Sequence, residues 1–212
     1  MTSPALYCLS EYPRIEIFEP FISPRSVKWL SEEVVIAISS ENLSNYLFPP
    51  DCPRIVIFPL PKSSELDCER FLGPAKTGSV IAVEAKWFDK IQQTTLYCYQ
   101  VPEESFMPLE RNDSFYVSFK SVKPISVKPV YNPLGELMKR NIEIRFLPSL
   151  DKLLNEIIFS TIGYSLIEIE NCECFKNQRR SQTRISNGYS IHDDFDQRIG
   201  IRNFRTGNGK KV

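Results

Sequence analysis

Two short stretches of the chain bring reactive side chains close together in sequence. In Asp51-Cys52-Pro53-Arg54 a thiol stands two positions from a guanidinium, and a neighbouring cation favours the thiolate, the nucleophilic form of cysteine. Cys52 is therefore a candidate reactive thiol. The plainer alternative is a turn into a strand, with Cys52 buried and Arg54 paired to Asp51. In Leu166-Ile167-Glu168-Ile169-Glu170 the two carboxylates lie two residues apart, which places both on one face of a strand. That spacing suits paired acid–base groups and equally suits a solvent-facing strand edge. Trp87 and Phe88, close behind Glu84, could stack on a base or complete a core. Tyr97 and Tyr99 share a strand face, as a ligand wall or as the cover of half a sheet.

Much other chemistry is excluded. The sequence has no glycine-rich phosphate loop, G-x-G-x-x-G, G-x-S-x-G elbow or H-E-x-x-H. Its single histidine, His192, lies in the polar C-terminal stretch, so a triad that needs an imidazole within hydrogen-bond reach of a nucleophile is not expected. The six cysteines are Cys8, Cys52, Cys68, Cys98, Cys172 and Cys174. Only the last two are close in sequence, and a zinc site needs a second pair or suitably spaced histidines, so no metal is expected. The start, MTSPALYCLSEYPRIE, is acidic and proline-bearing where a signal peptide would be basic and then apolar, which predicts a cytosolic or nuclear protein with free thiols. The asparagine sequons at Asn42 and Asn112 carry no meaning in that compartment. No apolar run approaches the roughly 20 residues that cross a bilayer, so no membrane contact is expected.

The elements that must position these groups are short strands mixed irregularly with a few helices. Strands are predicted at residues 5–9, 34–38, 54–58, 79–85, 96–101, 114–119, 142–147 and 166–170. Residues 122–130 read as an extended edge segment because of Pro124 and Pro129. Ser40 is positioned to cap a helix over 41–48 that Pro49 and Pro50 end. A polar connection at 62–78 contains a helical turn near 68–72, and a short helix follows at 86–92. Asn132-Pro133 is an N-cap with proline at the first helical position. Ser149 opens the strongest helix, where Leu150, Leu153, Leu154, Ile157, Ile158 and Ile162 form one stripe and Gly163 closes it.

Charge is unevenly spread although 26 basic residues balance 26 acidic ones over the 212-residue chain. Between 175 and 212, Lys176, Arg179, Arg180, Arg184, Arg198, Arg202, Arg205, Lys210 and Lys211 face only Asp193, Asp194 and Asp196. This stretch also loses hydrophobic periodicity, so it reads as a basic disordered tail over 173–212. Such a tail can remain solvated, or it can contact nucleic acid or an acidic protein. Arg179-Arg180-Ser181 gives it a basic context for a serine kinase, and a phosphate there would lower the local positive charge.

The strings LYCLSEYPRIEIFEP, IAISSENLSNYLFPPDCPRIVIF, VIAVEAKWF, LYCYQV and STIGYSLIEI resemble a family of small uncharacterised, mainly bacterial proteins over residues 5–171. Members of that family read Tyr-His-Phe-Ser-Glu near the start and Asn-Tyr-Leu-Phe-Pro-Arg-Asp-Cys-Pro-Arg in the middle. It implies no activity and no catalytic residues. A fainter resemblance is to the ADP-ribosyltransferase-like fold, carried by the first strand and by VVIAISSENLSNYL. It implies a nucleotide cleft lined by Tyr7, Ser10, Ser39, Tyr46 and Glu168, with Cys8 beside Tyr7 as a further candidate ligand contact and NAD as the cofactor or substrate. The chain departs from it at Tyr7-Cys8, where Tyr-His is expected and a thiol is a poor donor to a ribose hydroxyl.

The combined expectation is one α+β domain over 4–172, with a mixed or antiparallel sheet and three or four helices, followed by the basic tail. The leading functional reading is a small-ligand-binding domain without histidine-dependent catalysis. The second is a divergent ADP-ribosyltransferase-like enzyme acting on NAD or a phosphorylated nucleotide, and the third an adaptor using its tail.

Overall fold

The computed structural model describes residues 4–21, 32–73, 78–109 and 112–172. The first strands are β1 (Leu6–Ser10), β2 (Val35–Ser39) and β3 (Arg54–Phe58), followed by α1 (Glu65–Leu72) and β4 (Val80–Glu84). Next come α2 (Phe88–Gln93), β5 (Leu96–Val101), β6 (Met107–Leu109), β7 (Asn112–Ser118) and β8 (Ser126–Val130). The last are α3 (Pro133–Lys139), β9 (Glu143–Leu147), α4 (Asp151–Ile157) and β10 (Gly163–Ile167). Four α-helices and two sheets among the described residues make this an α+β fold. The described residues group by their contacts into two compact units, within 1–50 and 90–136, and within 51–89 and 137–172.

The first unit is a six-stranded antiparallel sheet in the order β6-β7-β2-β1-β5-β8. Strict alternation puts Leu6 and Cys8 of β1, Val35 and Ala37 of β2, and Tyr99 and Val101 of β5 on one face. Phe18 and Val122 close over that face, paired to each other through two backbone hydrogen bonds of 2.8 and 2.9 Å. Phe18 meets Tyr99 edge-on at 5.2 Å. The Tyr99 hydroxyl donates to the Tyr12 carbonyl at 2.5 Å and accepts from the Ile15 amide at 3.1 Å, so the strap after β1 is anchored by a phenol that leaves no polar atom stranded. β8 is an edge strand, as its proline predicts, with Pro129 opposite Tyr97.

The second unit is a four-stranded mixed sheet, β10-β3-β4-β9, in which β3 runs antiparallel to both neighbours and β9 parallel to β4. Ile55, Ile57, Val80, Ala82 and Leu166 meet Phe71 and Leu72 of α1 and Leu150, Leu154 and Ile157 of α4. Burial of each such aliphatic side chain contributes about 1.5–3 kcal/mol. Ser64 caps α1 by accepting the Asp67 amide at 3.2 Å, and Gly73, at φ 71°, ends it. Arg145 of β9 donates to the carbonyls of Phe71 (2.6 Å) and Leu72 (3.2 Å), satisfying the last turn of α1 and fixing it to the sheet.

Several local expectations are corrected by tertiary contacts. Ser40 caps no α-helix: its amide extends the sheet by donating to Ala5 at 2.8 Å, and only a 3₁₀ turn, Leu43–Tyr46, follows. The helical turn expected near 68–72 is the end of the longer α1. The helix expected over 149–162 stops at Ile157. Beyond it the Ser160 hydroxyl bonds the Ile157 carbonyl at 2.7 Å, and Thr161 is captured by Asp67, whose Oδ2 accepts its amide (2.8 Å) and hydroxyl (2.6 Å). Ile162 still reaches the core, but from extended chain. Gly163 is then the first residue of β10, not a helix terminus. A Cβ there would sit 2.5 Å from Phe58 Cε2, so glycine is required by close approach to β3. The strand expected over 166–170 ends at Ile167, Glu168 turns left-handed, and Ile169–Asn171 forms a 3₁₀ turn. Phe119, within the strand expected over 114–119, lies past the end of β7 and is exposed.

Two predictions follow from these contacts. Gly163→Ala must displace the Phe58 ring or the backbone of β3, and urea unfolding should show a loss of about 1–3 kcal/mol. The Thr161 hydroxyl and amide hold the Asp67 carboxyl below its ordinary value. A carboxylate lowered on folding stabilises above its unfolded value, about pH 4, and loses that contribution as pH falls through the folded value. The stability difference between the native chain and Asp67→Asn should therefore be constant near neutrality and shrink in acid.

Candidate functional site

Strand directions in the second sheet determine where its polar residues gather. β10 and β9 both run with β4, so three strands end where β3 begins. β4 is buried throughout and β3 nearly so, because both lie inside the sheet with both faces covered; charged side chains are therefore confined to their termini. Arg54 is the first residue of β3, Glu84 the last of β4, and Glu168 follows β10 directly.

Glu84 shares a face with Val80 and Ala82, the face covered by α1 and α4. The Cys172 thiol donates to Glu84 Oε1 at 3.1 Å, and the Lys86 ammonium lies 3.0 Å from Oε2. Cys172 and Glu84 are buried, whereas Lys86 reaches solvent, so this carboxylate is neutralised from the rim and hydrogen-bonded from inside. Asn171 joins the neighbouring segments, donating to the Asp51 carbonyl at 3.0 Å and to Glu168 Oε2 at 3.2 Å. Glu168 is wholly buried with φ 52° and ψ 24°. Arg54 pairs in register with Val83 and Ile167, which places it on the opposite face from Glu84, and its guanidinium donates to the Cys52 carbonyl at 2.7 Å.

The other candidates named from sequence divide as follows. Cys8, Ser10 and Ser39 lie on one face of the first sheet and Tyr7 on the other. The Cys8 thiol donates to the Ile36 carbonyl at 3.3 Å, and burial pushes its ionisation above the ordinary thiol range. Ser10 accepts the Tyr12 amide at 3.0 Å, and Ser39 accepts from the Asn42 side chain at 3.1 Å. Tyr46 meets Phe115 edge-on at 5.4 Å, and Phe115 pairs with Ile38, the strand partner of Tyr7. Glu168 and Cys52 belong to the second unit. Cys52 is buried where β3 begins, with Arg54 bonded to its carbonyl. Tyr99 is core, with burial raising its ionisation, and Tyr97 packs against the same core. Phe88 stacks edge-on with Phe146 at 5.1 Å.

Glu168 and Glu170 do not share a strand face, because the left-handed residue turns the chain between them. Sequence reasoning missed Glu84, Lys86 and Asn171, and weighed Cys172 only as a zinc ligand. The available signal was a glutamate ending an otherwise apolar strand. Among the described residues no group of three or more His, Cys, Asp or Glu is placed to hold a metal ion, and no helix is long and apolar enough to cross a membrane. Cys174, His192 and the basic stretch lie outside the described residues.

A family model described as a family of unknown function (DUF6886) matches residues 7–172. No curated protein and no solved structure matches the chain.

The thiol of Cys172 is the inner donor to Glu84. Cys172→Ala removes that donor without adding volume to a fully buried site, and denaturant unfolding should show a loss of about 1–3 kcal/mol. Cys172→Ser, which retains a donor, should lose less.

Proposed function

The chain belongs to this family of unknown function, and we propose that it binds a small polar ligand at the carboxyl ends of β4, β9 and β10. The observation that carries the reading is Glu168. A buried carboxylate is costly to desolvate, and a left-handed backbone at a residue other than glycine costs about 1–2 kcal/mol. Such combined costs concentrate where a side chain must be held in one place for function.

The chemistry of the site suggests the ligand class. Glu84 and Glu168 are acceptors for hydroxyl or amino groups, and Lys86, half-exposed beside Glu84, suits an anionic group. NAD and phosphorylated nucleotides carry both kinds of group. The described residues contain no histidine, which favours binding over imidazole-dependent catalysis.

The test is the thermal midpoint of the full chain against NAD, ADP-ribose and nucleoside phosphates. A ligand at a hundredfold its dissociation constant stabilises by about 2.7 kcal/mol, a shift of a few degrees at this size. Glu168→Gln and Glu84→Gln should each reduce the response. No shift with any of these ligands, or a shift unchanged in both variants, would overturn the proposal.

A further inference from the structure

The helical side of the second unit carries two large apolar side chains in the open, Leu66 at 74% and Phe159 at 81% exposure. They belong to segments held side by side. Asp67 binds Thr161, the Ser64 amide donates to the Thr161 hydroxyl at 2.8 Å, and Arg70 pairs with Glu156 at 3.0 Å. The surroundings are acidic: across α1 and α4, Glu65, Asp67, Glu69, Asp151 and Glu156 outnumber Arg70, which is already engaged by Glu156, and Lys152.

We propose that residues 175–184 of this same chain dock on the Leu66–Phe159 surface. Three observations select that occupant. Residues 175–184 read Phe-Lys-Asn-Gln-Arg-Arg-Ser-Gln-Thr-Arg, with four cations, no acid and one aromatic residue, which complements an acidic surface bearing apolar side chains. The segment begins three residues beyond Cys172, which is packed in the same core cluster as Phe71 and Leu72 at the end of α1. Reach is sufficient, since the twelve residues to position 184 extend to about 40 Å, whereas α1 is about 12 Å long. Docking would spend part of the positive charge of the C-terminal stretch within the molecule, leaving less of it for a separate acidic partner.

Tryptic cleavage at Arg179, Arg180 and Arg184 reads this directly, with the first cuts followed by mass spectrometry in the full chain and in a free peptide spanning 173–190. Cleavage samples the undocked population, so a tail docked ten to one should be cut about tenfold more slowly than the peptide. The double variant Glu65→Lys with Glu69→Lys, both exposed, should abolish the difference while leaving the unfolding midpoint nearly unchanged. Phe159→Ser should also weaken protection, and high salt should weaken it in the native chain. Equal cleavage rates for chain and peptide would overturn the proposal, as would protection unaffected by the charge reversals. Protection that grows with protein concentration would also overturn it, by identifying a second copy as the occupant.

Discussion

Strands covered on both faces leave a charged side chain nowhere to go except the strand ends, and this constraint organises the second unit. β3 and β4 supply Ile55, Ile57, Val80 and Ala82 to the helical face, and any charge among them would stand against Leu154, Ile157 and Phe71. Arg54 and Glu84 instead occupy the first and last positions of their strands. Because β3 runs against β4, those positions fall at the same end of the sheet. The ionisable cluster is thus a consequence of strand direction combined with burial. The same reasoning explains why Glu84 needs both of its partners. Lys86 balances its charge, but a buried carboxylate oxygen facing an apolar cluster also requires a donor, and the only polar hydrogen on Cys172's side chain supplies it.

The first unit solves a related problem with a neutral group. Its covered face is closed by a strap containing Phe18, and the strap's backbone would leave unpaired amides over apolar side chains. Tyr99 contributes a large ring to that core and a hydroxyl that bonds both the Tyr12 carbonyl and the Ile15 amide. Burial raises the ionisation of this phenol, so it remains a donor throughout the neutral range. One residue therefore supplies apolar area and backbone pairing together, which is why a tyrosine on a strand face here marks packing and not a ligand wall.

Legibility from sequence followed the range of the interactions. Central strands such as 54–58, the proline-marked edge β8 and the Asn132-Pro133 helix start were readable because their signals are local: β-branched runs, missing amides, and an Asn132 side chain that accepts the Gly135 amide at 2.9 Å. The stretch from 149 to 170 was harder. Its apolar spacing continues as if α4 ran to Ile162, yet Thr161 is bound by Asp67, ninety-four residues earlier in the chain. Gly163 looks like a helix terminator in sequence and is in fact a strand residue beneath Phe58. Alternation in LIEIE is a fair strand signal, and what defeats it is the turn at Glu168, whose neighbour Asn171 is tied to Asp51. Every one of these errors comes from a contact that no window of local sequence contains.

The spacing in LIEIE and the fold resemblance both point to Glu168 and neither points to Glu84, but the structure gives them a common logic. Glu84 is held within regular structure, at the end of a fully buried strand, and its position follows from the sheet. Glu168 is held against backbone preference, in a conformation that asparagine or glycine would adopt with less strain. Keeping a glutamate there maintains a carboxylate in the interior at the cost of both desolvation and strain, and Asn171 offers it a directed hydrogen bond. Both costs and the directed hydrogen bond from Asn171 meet at one side chain, and the proposed binding role of Glu168 rests on that coincidence.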